Sequence, residues 1–412
     1  MNRPRSQMRT IVLLGLLTAV VPFSIDMYLP GFTDIARTYG SSVSRVSLTL
    51  SSFFIGIGIG QLLYGPLLDR FGRLRPLYAG LLLYCGASVG CAFAPSLDAL
   101  VALRFLQAAG ACSASIAATA MVRDLFPPED NAKIFSFLIL VLSVSPMLAP
   151  TVGSVLSAAL GWRSIFFVLA ALIVLIALGV RLFLRGAQGP DRHYSLRPLS
   201  ILRTYRSVLR ERVFLLYALL SAIGLAGLFT YIASSPAVFM EHFGLSQQQY
   251  GILFAFLASG LIIAAQVNTV LLRRFDSAFI IRRAFAAQVL LASVYVLLAL
   301  LQRDGLGVSI ALLFAYLAAA GLIMPNATAL AMRPFSSHAG SASALLGFVQ
   351  MGLGSVVTVL IGLLAIRSAL PMAAVMLGGS AGGLLLLLLA TRAAARNKKN
   401  ASLREQEALV IE

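Results

Sequence analysis

Charge is scarce in this chain: Asp, Glu, Lys and Arg make up 11% of its 412 residues. A soluble domain averages about a quarter. With 59% hydrophobic residues and a mean hydropathy of +0.91, that scarcity excludes a water-soluble fold and indicates an integral membrane protein. Cysteine is almost missing. Cys85, Cys91 and Cys112 are odd in number and lie in apolar stretches, which argues against a disulfide framework or a metal site. Histidine is confined to His193, His242 and His338, in or near loops, and no Walker-type phosphate loop occurs. These gaps weigh against a membrane-embedded enzyme or an ATP-driven pump. No catalytic residue, metal or cofactor is expected. The one tryptophan, Trp162, stands at the edge of an apolar run and reads as an interface anchor.

Long apolar runs are what the chain has in quantity. A spanning helix needs about 20 mostly apolar residues. Twelve such stretches occur, near 9–32, 46–68, 76–94, 98–122, 133–160, 163–184, 213–238, 247–272, 281–301, 306–331, 340–365 and 369–391. The expected fold class is therefore all-α, an integral membrane protein with twelve transmembrane helices. Basic residues before the first run would suit a signal peptide, but no small-residue cleavage site follows, so it reads as a retained first helix.

The net charge of +17 invites a nucleic-acid reading, and its placement rules that out. With the N-terminus in the cytoplasm, 26 Lys and Arg fall in inside segments and five outside (Arg37, Arg45, Arg163, Arg303 and Arg367), leaving Arg104 within a span. This is the positive-inside rule. It places both termini in the cytoplasm of a multi-pass protein of the cell inner membrane. The basic charge orients the chain in a lipid bilayer.

The longest polar interruption, Arg185 to Arg212, contains Gly186, Gly189, Pro190 and Pro198 and divides the spans six and six. The expected organisation is an N-terminal six-helix bundle (1–185), a cytoplasmic linker (186–211), a C-terminal six-helix bundle (212–391) and a frayed cytoplasmic tail (392–412). Asp69-Arg70-Phe71-Gly72-Arg73 after the second span has a weak counterpart, Arg273-Arg274-Phe275-Asp276, after the eighth. That repeat supports two pseudo-symmetric halves, an arrangement whose binding site lies between them near the midplane. Gly56, Gly60 and Gly65, and the run from Ala108 to Ser115, supply small residues for close helix packing.

Asp26 is the lone carboxylate in the first span. A charge in hydrocarbon costs several kcal/mol, so such residues usually face a cavity, a partner or a transported ion. Pro22 and Pro30 stand four residues to either side, on the same face of a continuous helix, and each removes a backbone donor. Asp26 is thus a candidate titrating site for a proton or a cationic substrate, the alternative being a static buried pair. Arg104 sits at comparable depth, each about 10 Å from the outer surface at 1.5 Å per residue. The two could share a cavity. Phe23, Tyr28, Phe229 and Tyr231 could line a pocket for varied apolar or cationic molecules. Gln61, Gln266, Asn268 and Asn326 read as interhelical hydrogen-bonders first and substrate contacts second.

Gly65-Pro66-Leu67-Leu68-Asp69-Arg70-Phe71-Gly72-Arg73 reads as a helix end and tight turn. As a pattern it resembles the signature loop of the major facilitator superfamily, with Leu68 where a small residue is common and Leu74 where a basic one usually follows. The resemblance sharpens to the bicyclomycin-resistance (Bcr/CflA) branch of drug:proton antiporters. It rests on Ile25-Asp26-Met27-Tyr28-Leu29-Pro30; Arg104-Phe105-Leu106-Gln107 running to Arg123-Asp124-Leu125-Phe126; Phe229 to Pro236; and Met324 to Ala329 with Gly340 to Ala344. The resemblance implies that Asp26 alternates between proton and drug, and that Arg104 is tied to proton coupling. It implies a gating loop of Gly65, Asp69, Arg70, Gly72 and Arg73, which in that family stabilises the outward-facing state. Pro146, Pro150 and Gly153 resemble a reduced antiporter motif. Thr18 stands where some related carriers have a second acid, leaving one obvious membrane carboxylate. The expected function is export of small lipophilic drugs in exchange for protons by a monomer. The alternative is export of a metabolite such as a sugar or amino acid.

Overall fold

The computed structural model describes residues 4–184, 198–335, 339–364 and 368–411. Arg3, Arg185, Gly186, Gly189, Pro190, Arg192, His193, Arg197, His338 and Arg367 lie outside the described residues. Every long element is a helix, as hydrocarbon demands of a chain that must satisfy its backbone internally. The first half comprises α1 (Pro4–Asp26), α2 (Phe32–Thr38), α3 (Val43–Val46), α4 (Leu48–Phe71), α5 (Leu74–Ala92), α6 (Leu97–Leu125), α7 (Pro128–Leu160) and α8 (Arg163–Phe183). A linker helix, α9 (Pro198–Arg210), follows. The second half comprises α10 (Arg212–Ser235), a π-helical turn (Pro236–His242), α11 (Gln247–Leu271), α12 (Ser277–Leu300), α13 (Leu306–Met332), α14 (Ala339–Leu363) and α15 (Leu370–Ile411).

Among the described residues, 11 helical segments are long and apolar enough to cross a bilayer. The remaining expected span is α5, whose 19 residues have the length to cross, while Arg75 and Pro76 dilute its apolar content. Helix ends follow local rules. Ser96 accepts from the Ala99 amide at 3.1 Å, and Asp276 from the Phe279 amide at 2.7 Å. Gly72 (φ +80°) and Gly161 (φ +78°) end α4 and α7 in the left-handed region that favours glycine.

The packing is repeated in both halves. The second span of each half, α4 or α11, lies on the fourth, α6 or α13; the third, α5 or α12, lies on the fourth and the sixth. Glycines set these approaches: a Cβ on Gly56 would stand 2.6 Å from the Phe105 carbonyl oxygen, and one on Gly260 3.0 Å from the Phe314 ring. Across the seam, α4 meets α14 and α7 meets α11. Leu82, Ile139, Leu175, Ile252, Leu290 and Val356 are exposed around the outside, a surface suited to lipid.

Three expectations are corrected. The first span is not one helix carrying Pro22, Asp26 and Pro30 on a shared face: α1 stops at Asp26, a turn and a 3-10 helix (Leu29–Gly31) intervene, and α2 restarts at Phe32. Pro30 has no N–H to offer the Asp26 carbonyl, so the helical ladder breaks there. The tail from Arg392 is helical rather than frayed, α15 continuing to Ile411; its Ala, Glu, Lys, Arg and Leu are strong helix formers. Trp162 is 3% exposed, not a lipid-facing anchor. Its Nε1 donates to Thr38 Oγ1 at 3.1 Å, and its ring stands between Tyr39 and Phe166.

Candidate functional site

Asp26 occupies the last position of α1, where the helix gives out. It is 4% exposed, and no hydrogen bond or ion pair engages its carboxylate among the described residues. The break beside it is shaped from the neighbouring helix. A Cβ on Gly153 would run into the Met27 carbonyl, so only glycine lets α7 lie against the turn. Gly153, the last residue of the antiporter-like motif, thereby abuts the residue next to Asp26. Pro150, three residues earlier on α7, meets the opposite half: a Cβ on Gly251 of α11 would stand 3.1 Å from the Pro150 carbonyl oxygen. Pro146 lies within α7 one turn earlier.

Arg104 does not meet Asp26. It is fully buried in the first half, where Nη1 donates to Gln107 Oε1 at 2.6 Å and Nη2 to the Ser24 carbonyl at 2.9 Å. Its guanidinium lies over Phe53 at 4.2 Å, Tyr28 at 4.8 Å and Phe166 at 5.9 Å. Nε has no partner. Gln107 Nε2 donates to Ser88 Oγ at 2.7 Å, and Ser24 Oγ meets Tyr84 Oη at 2.6 Å, so α1, α5 and α6 share one polar network. An aromatic cage, one backbone carbonyl and the Gln107 amide oxygen hold this cation in place of a carboxylate. Tyr28 is part of that cage, fully buried, with Oη 3.1 Å from Thr49 Oγ1. Phe23, on α1, is half-buried.

The aromatic residues of the second half stand on the seam. Tyr231 is 1% exposed, its Oη without a hydrogen-bond partner among the described residues, and Tyr250 Oη meets Ser235 Oγ at 2.7 Å. Both phenols are near enough to Asp26 for its charge to reach them. Tyr250, from α11, was not singled out in the sequence; only its place after the Ser246–Gln249 capping box marks it, and that signals a helix start. Phe229 packs on Phe54 of α4 with ring centroids 4.2 Å apart and presses on Gly354 of α14, so it joins the halves. Asn326 donates to Asn268 at 2.6 Å within the second half, the interhelical role expected of both.

The gating-loop residues gather at the basic end. Arg73 Nη1 donates to Asp69 Oδ1 at 2.6 Å and its Nε to Asp124 Oδ2 at 2.7 Å, tying α4, α5 and the end of α6 together. Burial pushes Arg73 toward neutrality, and the two carboxylates outweigh it, holding the guanidinium above its ordinary range. Gly72 makes the turn, Arg70 stands at the end of α4, and among the described residues nothing lies within 4 Å of a Cβ on Gly65.

Contacts between the halves favour the other end. Gln247 Nε2 of α11 donates to Asp34 Oδ2 of α2 at 2.6 Å. On α14, Gly362 abuts Leu48 and Gly347 abuts Gln61, both of α4, while Gly340, nearest the basic end, meets nothing among the described residues. The seam is thus closed from the Asp34 end to about its middle and loosens toward the basic loops.

A family model described as Major Facilitator Superfamily matches residues 14–359. An uncharacterised MFS-type transporter, YdgK of Bacillus subtilis, is 34% identical over 88% of this chain and 90% of its own. A chloramphenicol resistance protein of Pseudomonas aeruginosa is 31% identical over 88% and 86%. A bicyclomycin resistance protein homolog of Haemophilus influenzae is 28% identical over 91% and 94%. Among solved structures, a D-xylose–proton symporter superposes with a TM-score of 0.71 at 16% identity, covering 92% of this chain and 96% of that one. A bacterial homologue of the lysosomal transporter Spinster gives 0.66 at 18%, covering 96% of each. At that identity both bear on the fold alone.

Proposed function

The chain belongs to the Major Facilitator Superfamily and is a multi-pass membrane transporter, not an enzyme; from that premise we propose that it exports small lipophilic drugs from the cytoplasm in exchange for protons. The observation that carries the reading is Asp26: a buried carboxylate without a counter-ion among the described residues, at a helix break on the seam, where α11 of the opposite half packs against the turn that follows it. Relatives named for chloramphenicol, bicyclomycin and multidrug resistance support drugs as the cargo.

In this reading the basic end faces the cytoplasm of the inner membrane, and the seam opens there. On the cytoplasm-open side a cationic or polar-headed substrate displaces the proton from protonated Asp26, the proton leaves to the cytoplasm, and the ionised carboxylate holds the substrate. After the halves rock to the other side, protonation from outside removes the attraction and releases the cargo. A ligand shifts such an equilibrium only by its differential affinity for the two states, and proton and drug competing for one carboxylate supply that difference. One proton moving down about 100 mV releases roughly 2.3 kcal/mol, enough for about a fiftyfold gradient of a neutral substrate. Arg104 keeps a fixed positive charge and positions α1 through the carbonyl of Ser24, two residues before Asp26. The loop of Gly65, Asp69, Arg70, Gly72 and Arg73, in which Arg73 holds Asp69 and Asp124 here, engages the second half when the basic end closes. The test is drug-driven proton movement in proteoliposomes. A panel of drugs and metabolites assayed with and without an uncoupler identifies the cargo, and uptake of a sugar or amino acid alone would replace the drug reading.

A further inference from the structure

The linker helix carries a surface that the transport site does not use. α9 ends at Arg210, and Glu211 then caps the span α10, accepting from the Val213 amide at 3.4 Å. One face of α9 is anchored in protein. Val208 is 1% exposed, packed with Phe214 of α10, Ala331 of α13 and Leu345 of α14. Those residues lie in the first turn of α10, the last turn of α13 and the second turn of α14, so α9 lies level with the span ends. Tyr205 reaches the other half, its Oη donating to the Leu62 carbonyl of α4 at 3.0 Å.

The remaining face is unclaimed. Leu199 and Leu202 are 68% and 65% exposed, and Leu209 39%. Arg203, Arg206 and Arg210 are exposed, and among the described residues none has an ion-pair, hydrogen-bond or ring partner. At 3.6 residues per turn the three arginines fall in one stripe about 60° wide, with Leu202 and Leu209 on its flank. A helix with cations along one stripe and leucines beside it, held at the depth where spans end, suits the boundary between headgroups and acyl chains.

We propose that α9 is a docking surface for anionic phospholipid of the leaflet at the basic end. Arg203, Arg206 and Arg210 take the phosphates while Leu202 and Leu209 enter the acyl region. A soluble polyanion would satisfy the arginines and leave the leucines in water; a bilayer surface covers both. Because Val208 is fixed in the second half and Tyr205 in the first, lipid held here braces the arrangement in which α9 bridges them. The proposal depends on the transport reading only for which leaflet is meant, and its test needs no transport.

The experiment is native mass spectrometry of the full-length protein offered phosphatidylglycerol and phosphatidylcholine in competition. Wild type retains phosphatidylglycerol preferentially, and R203Q/R206Q/R210Q lowers that preference by about fivefold for each arginine removed. R203K/R206K/R210K keeps it, since the attraction is to charge. R273Q/R274Q/R282Q, three arginines at the same end outside α9, leaves it nearly unchanged. An undiminished preference in the glutamine variant, or an equal fall in the control, overturns the proposal. So does displacement of the lipid by free glycerol phosphate, which would make the site one for soluble anions. If the triple variant fails gel filtration, R206Q alone carries the test, with about a fivefold loss expected.

Discussion

Asp26 and Arg104 carry opposite charges on adjacent helices and do not pair. The acid, left without a partner, is free to exchange one; the base is locked by Gln107, the Ser24 carbonyl and three rings. In proteoliposomes, Asp26→Asn is expected to reduce proton-coupled efflux to the level of empty vesicles while folding normally, and efflux at wild-type rate would sink the proposed mechanism. Arg104→Ala is expected to impair coupling more than membrane insertion. It strips the donor from two buried acceptors, each costing on the order of 1–3 kcal/mol. Arg104→Lys should recover little of the coupling, because an ammonium is a point charge and cannot reproduce the guanidinium fork. Drug-induced proton movement, read beside purified yield, checks both; unchanged transport would remove Arg104 from the mechanism. Both residues were visible in the sequence as isolated charges in apolar runs. Their surroundings were not, since Phe53, Phe166 and Tyr250 arrive from other helices with no local mark.

At the scale of elements, the broken first span decides the site. The sequence pattern suggested one helix with two prolines on a face, but Pro30 cannot donate to the Asp26 carbonyl, and the ladder ends at the carboxylate. The cradle for this break is Gly153 on α7. Gly153→Val would force a branched side chain into the Met27 carbonyl, an overpacking expected to cost about 1–3 kcal/mol. The expected result is a lowered thermal midpoint together with loss of efflux. A variant that transports normally would show that the α7 contact is dispensable. Phe229 illustrates what sequence could not assign: an aromatic residue proposed for the pocket lies between Phe54 and Gly354, where it fastens α4, α10 and α14 together.

Across the whole molecule, the two halves are joined at the end away from the basic loops. Asp34 and Gln247 form one such link between α2 and α11. With Cys85, Cys91 and Cys112 replaced, D34C/Q247C treated with a reducible thiol crosslinker is expected to arrest transport, and reduction to restore it. Unimpeded transport after complete crosslinking would mean that this end never opens, contrary to alternating access. Glycines report the same asymmetry, Gly347 and Gly362 abutting the other half while Gly65 and Gly340 meet nothing among the described residues.

The amino-acid sequence by itself determined that the chain is a helical membrane protein with a six-and-six division and a basic end, because bilayer thickness sets the length of apolar runs and charge is costly within them. It also exposed the carboxylate and the arginine, since a lone charge stands out in hydrocarbon. Only the tertiary structure decided that α1 breaks at Asp26, that Arg104 is held by rings rather than by an acid, and which end of the seam is shut. Those outcomes depend on helix faces brought together across the bundle, and the side-chain pattern of any one span is too uniformly apolar to record which face meets which neighbour.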